Sequence, residues 1–152
     1  MILTETNQIR QALAALNNLG ECVIIELLWE HFGTTITVVF NYIWTDDGKI
    51  RSDLAIEYPL VLRFRVVQEL IVKNGLNSAK VTKTENMNWG LSEIAAAELV
   101  DDEKILTPYS NLPVSFHHLV FYWESGNRKL EARQIDVVFS TLEIEKLWVT
   151  EK

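Results

Sequence analysis

The stretch Leu28-Trp29-Glu30-His31-Phe32-Gly33-Thr34-Thr35-Ile36-Thr37-Val38 decides the fold class, because a Trp-Glu pair enters a glycine turn and leaves it as an alternating run. Before the turn, Val23, Ile25, Leu27 and Trp29 share one parity and Glu26 and Glu30 the other. After it, Ile36, Val38, Phe40, Tyr42 and Trp44 alternate with Thr35, Thr37 and Asn41. A period of two puts the apolar groups on one pleated face, so an antiparallel hairpin is expected, with Trp29 and Trp44 in the core.

A second stretch follows the same local rule. Tyr122-Trp123-Glu124-Ser125-Gly126 leads into Arg128-Lys129-Leu130-Glu131-Ala132. This hairpin is expected to pair Phe116 to Glu124 with Arg128 to Phe139. Leu130 and Ala132 fall on even positions and Ile135, Val137 and Phe139 on odd ones, so a bulge is expected near Arg133-Gln134. The two ribbons share few other identities and read as separate hairpins, bonded neighbours whose apolar sides meet.

Outward from these, Ile9, Ala12, Leu13, Leu16 and Leu19 recur at helical spacing, which predicts a covering helix capped by Thr6 or Asn7 and ended by Gly20. Asp46-Asp47-Gly48-Lys49 is a turn. Leu60, Leu62, Phe64 and Val66 alternate with Arg63 and Arg65, a half-buried strand with a basic outer face that breaks at Gln68-Glu69. Residues 91–100 carry an alanine run that favours helix by propensity, yet the surrounding pattern favours a strand. Pro108 and Pro113 preclude regular pairing in a long connection, and the tail Leu142 to Trp148 fits strand and short helix equally. The expected fold is mainly β, with α+β as the alternative: a curved antiparallel sheet or sandwich-like half-barrel, one domain over residues 1–152, with the N-terminal helix over an open side or edge.

With 48% hydrophobic and 23% charged residues, the 152-residue chain is too apolar for a disordered one and long enough to bury its own core. A net charge of −7 argues against neutralising nucleic-acid phosphates and against anionic membranes, and would welcome a basic protein partner. The start, Met1-Ile2-Leu3-Thr4-Glu5-Thr6, lacks a basic region and a long apolar run, and the lone Cys22 has no disulfide partner. A cytoplasmic protein is expected.

Chemistry is sparse. Of the three histidines, His117 and His118 point to opposite faces of a strand, and Cys22 and His31 end one strand roughly 30 Å apart if extended, so no metal site is expected. The six glycines are scattered among turns and make no phosphate cradle, and no nucleophile elbow is present, so no cofactor is expected. The catalytic candidates are His117 or His118 with Glu30 or Glu124 as acid and base. The binding candidates are Trp89 in a polar loop, Tyr109 beside it, and Arg63 and Arg65, which either grip an anion or form a face salted by nearby Glu.

Two functions therefore compete. The first is a non-catalytic protein-binding or regulatory module, of which an immunity-type protein that blocks a basic toxin is one form. The second is a ligand-binding or hydrolytic β scaffold with an aromatic-lined pocket. Homo-oligomerisation through a strand edge such as Tyr58 to Val67 is open to either.

Overall fold

The computed structural model describes residues 1–52, 57–73, 94–101, 103–123 and 134–148. Among them, nine strands form two antiparallel sheets that do not close into a barrel. The first sheet contains β1 (Ile2–Leu3), β2 (Val23–Glu30), β3 (Thr35–Asn41), β4 (Pro59–Arg65) and β9 (Thr141–Lys146), in the order β1-β9-β4-β3-β2. The second contains β5 (Glu69–Lys73), β6 (Ala96–Leu99), β7 (His117–Tyr122) and β8 (Gln134–Phe139), in the order β5-β8-β7-β6. Residues 96–99 and 141–146 are thus strands. The expected hairpins are both present as β2–β3 and β7–β8, but in different sheets, so they meet through their apolar faces and not as bonded neighbours.

The two sheets are joined by one bent ribbon. The β4–β9 ladder continues into β5–β8 through the Ser140 N–H to Arg65 carbonyl bond (3.1 Å) and the Gln68 N–H to Val138 carbonyl bond (2.8 Å). Val66 takes a left-handed φ of 55° at this corner and so leaves the inward row of Leu60, Leu62 and Phe64. At another junction, Glu21 N–H donates to the Ile94 carbonyl and Ile94 N–H to the Cys22 carbonyl, fastening the start of β2 to the approach of β6.

Between the sheets, Ile36, Val38, Phe40, Leu60, Leu62 and Phe64 meet Leu119, Phe121, Val137 and Phe139 in one core. Phe64 sits edge-on to Phe121 and Phe139, at centroid separations of 5.9 and 4.8 Å, an arrangement that sets positive ring edges against negative faces. The helix α1 (Thr6–Ala15) adds Ile9 and Leu13 to this core and packs along β6. It therefore covers the edge of the second sheet.

Its ends differ from expectation. Glu5 holds the N-cap position without a side-chain bond, because the Thr6 hydroxyl is turned to His117. After Ala15 the chain passes through Asn17, Asn18 and Leu19 at positive φ, whereas Gly20 has φ −55° and is no left-handed cap. Gly20 is needed for closeness: a Cβ there would stand 3.3 Å from the Ala95 carbonyl oxygen.

In β2 a bulge between Ile24 and Glu26 reverses the pleat, so Ile24 is buried and Ile25 exposed, the opposite of strict alternation. β4 lies between β3 and β9, so Tyr58 to Val67 is no free edge. Among the described residues the outer strands are β1, β2, β5 and β6. The expected bulge near Arg133 involves a residue outside the described set.

Candidate functional site

β2 is the longest of these outer strands at 8 residues, and among the described residues it pairs only with β3. Trp29 stands opposite Ile36 and continues the inward row Ile36–Phe64–Leu142, yet it is 66% exposed. It has the parity of a core residue and lies beyond the cover of the second sheet. Ile25 and Leu28 are exposed beside it, and Phe32 at the hairpin tip is fully exposed.

The tip is held there by backbone. His31 and Phe32 both adopt left-handed φ, 50° and 58°, before Gly33 at 85°. Thr34 fastens the turn by donating its hydroxyl to the His31 carbonyl at 2.8 Å. Two consecutive non-glycine residues in this region carry strain, the kind that persists where surrounding structure or function demands it. Glu26 and Glu30 add carboxylates to the same strand. Together they make an apolar, acidic edge whose outer backbone groups have no strand partner among the described residues, the kind of edge an incoming strand can extend.

The outer face of the first sheet is closed on itself. Arg63 bonds Glu145 at 2.6 Å and lies 3.6 Å from Glu143, while Arg65 bonds Glu143 at 2.9 Å. Glu30 accepts the Thr37 hydroxyl at 2.8 Å, and long side chains around Thr35 and Thr37 leave both threonines buried. The Glu145 hydrogen bond pushes Arg63 further up, and the Arg65 hydrogen bond holds Glu143 below the usual carboxylate range. Arg63 and Arg65 thus salt their own sheet.

His117 and His118 point to opposite faces, as neighbours on a strand must. His117 faces inward at the margin of the core, where Nε2–H donates to the Thr4 carbonyl at 2.8 Å and Nδ1 accepts from Thr6 at 3.3 Å. Both ring nitrogens are occupied by the chain around α1. His118 lies on the outer face of the second sheet and bonds Asp136 at 2.9 Å, both side chains being 3% exposed. Gln134 donates to the other Asp136 oxygen at 2.7 Å, and His118 Nδ1 meets no partner among the described residues.

A strap covers this face. It consists of the short helix α2 (Glu103–Leu106), a 3-10 turn over Thr107–Tyr109, and the run to Phe116. α2 packs on β7, and the Tyr109 ring lies tilted against Phe116 at a centroid separation of 5.2 Å. Burial and Glu69 together hold that phenol above its ordinary range.

The structure does not join either histidine to Glu30. Trp89 and Glu124 lie outside the described residues. Asp136 was missed from sequence, although a carboxylate inside Gln134-Ile135-Asp136-Val137-Val138-Phe139 is a signal: a charge in an apolar strand needs a partner. Among the described residues no group of three or more His, Cys, Asp or Glu side chains converges for a metal ion, and no helix is long and apolar enough to cross a membrane.

No protein-family model matches the sequence, and comparison with curated proteins gives no match. Among solved structures, the chain is similar to an uncharacterized protein from Neisseria gonorrhoeae at 13% identity and a TM-score of 0.47, over 84% of this chain and 93% of that one.

Proposed function

We propose that this protein is a small, acidic, cytoplasmic protein-binding or regulatory module that recognises an extended basic segment of another protein along β2. The observation that carries this reading is the exposure of Trp29 on a strand that is an outer one among the described residues, with Phe32 held outward at its tip. Backbone pairing would supply affinity, and Trp29, Leu28 and Phe32 would anchor the partner's side chains.

Charge favours a basic partner over a second copy. If β2 paired with itself around Leu28, Glu26 would stand directly opposite Glu30, and like charges in register are destabilising. A Lys- or Arg-bearing strand meets both carboxylates and the overall charge of −7. An immunity-type role is one form of this function. The cytoplasmic part of the reading rests on the single, buried Cys22.

The test is affinity capture from native lysate with wild type, Trp29→Ala/Phe32→Ala and Glu26→Lys/Glu30→Lys proteins, followed by titration of the retained partner. Loss of an anchoring aromatic costs about 2 kcal/mol, roughly thirtyfold in affinity, and the charge reversal should act mainly on association rate. A partner bound equally by all three proteins would refute the assignment.

One observation favours the second reading, a ligand-binding or hydrolytic scaffold: the His118–Asp136 contact. Its substrate would have to displace the strap over Tyr109. A small ester hydrolysed by wild type and not by His118→Ala would raise this reading above the first.

A further inference from the structure

At the end of the sandwich away from the Val66 corner, three aromatic rings gather. Trp148 lies nearly parallel to Tyr42, at 5.8 Å and 19°, and edge-on to Tyr58, at 5.7 Å and 82°. The Arg51 guanidinium stacks 3.7 Å above the Tyr58 ring and 5.6 Å from that of Trp148, while Lys146 Nζ reaches Trp148 at 5.8 Å. All three distances fall within cation–π range. Burial chiefly holds the Tyr42 hydroxyl above the ordinary phenol range.

We propose that Tyr42, Tyr58 and Trp148 form a recognition site for a weakly hydrated cation, a guanidinium or methylated ammonium group, and that Arg51 is an internal plug occupying it. The walls present two ring faces nearly at right angles, the arrangement that encloses a cation from more than one side. Arg51 is held imperfectly: its Nε is buried and has no hydrogen-bond acceptor among the described residues. A buried donor left unmade is costly, so an incoming cation with fewer N–H groups, or one bringing its own acceptor, competes favourably.

Exchange requires no refolding. The backbone of Arg51 is fixed independently by its N–H bond to the Ile43 carbonyl at 2.7 Å and by the neighbouring Trp44–Ile50 bridge. A change of Arg51 rotamer would therefore leave these backbone bonds and the Thr45–Lys49 turn in place. This site is separate from β2, and its existence does not depend on the function proposed above.

The test removes the plug and keeps the walls. Arg51→Ala and Arg51→Met proteins, the latter retaining an uncharged stem, are titrated by tryptophan fluorescence and NMR with choline and with an acetylated, amidated arginine peptide. At least one probe should bind the variants about tenfold more tightly than wild type, and adding Tyr58→Ala should cancel the gain. Choline alone binding would assign the site to a small free cation; the peptide alone, to a side chain of another protein. Folded variants that bind neither probe, or that bind equally after Tyr58→Ala, would overturn the proposal, and the Arg51→Met protein decides should Arg51→Ala unfold.

Discussion

His118 Nε2 lies 2.9 Å from Asp136 Oδ2, on adjacent strands of the second sheet, and both side chains are almost wholly removed from water. The carboxylate is satisfied twice, by His118 and by Gln134, while His118 Nδ1 meets no partner among the described residues. The imbalance predicts asymmetric mutational costs. Asp136→Ala strands the His118 N–H and should cost about 3 kcal/mol by urea unfolding. Replacing both residues together, as His118→Leu/Asp136→Leu, removes donor and acceptor and should be markedly less harmful than the single change. A double variant worse than Asp136→Ala would show that the pair itself, and not the penalty of half a pair, stabilises the sheet.

At the β2–β3 tip, Phe32 combines full exposure with φ 58°. Its ring contributes little burial, and its Cβ is costly in that conformation. Phe32→Gly should therefore stabilise the fold by about 0.5–1 kcal/mol while weakening partner capture. Equal or lower stability in thermal unfolding would mean that the ring is covered in solution.

Trp44 illustrates a different use of an aromatic. It lies past the end of β3, where its indole N–H donates to the Gly20 carbonyl at 2.7 Å. Trp44→Phe keeps most of the ring and leaves that carbonyl without this donor, so a loss of about 1 kcal/mol is expected. Gly20→Ala should add a separate cost by crowding the Ala95 carbonyl, and a combined loss well short of the sum would reveal that both changes act on the same junction.

Strand identity was readable from sequence because alternation survives wherever both sheet faces are distinct, as in Ile36–Val38–Phe40 against Thr35–Thr37. Phase was not readable through Ile24–Glu26 or at Val66, since a bulge and a positive φ change which side a residue faces without changing composition. Sheet position was equally hidden. Trp29 has core parity, but whether an inward residue is buried depends on what stands across from it, and that is set by the long-range partner of the bent ribbon. The His118–Asp136 contact failed to surface for the same reason: the diagonal relation exists only in the β7–β8 register, from His118↔Val138 to Val120↔Asp136.

The ion pairs of the first sheet make its stability depend on pH in a definable window. Glu143 is held below its ordinary range chiefly by the Arg65 hydrogen bond, with the charges of Arg65, Arg63 and the N-terminus assisting against burial. A depressed carboxylate contributes stability that is present above its unfolded pKa, about 4.3, and lost as pH falls through the lower folded value. Wild type should therefore exceed Glu143→Gln by about 0.5–1 kcal/mol at neutral pH, the range of a good partly exposed pair, and the gap should close on acidification below about pH 4. High salt at neutral pH should narrow it as well, since the carboxylate remains partly solvated. Urea unfolding of the two proteins across that pH range checks this directly: a gap unchanged by acid would mean that Glu143 acts through packing on Arg63 and not through its charge.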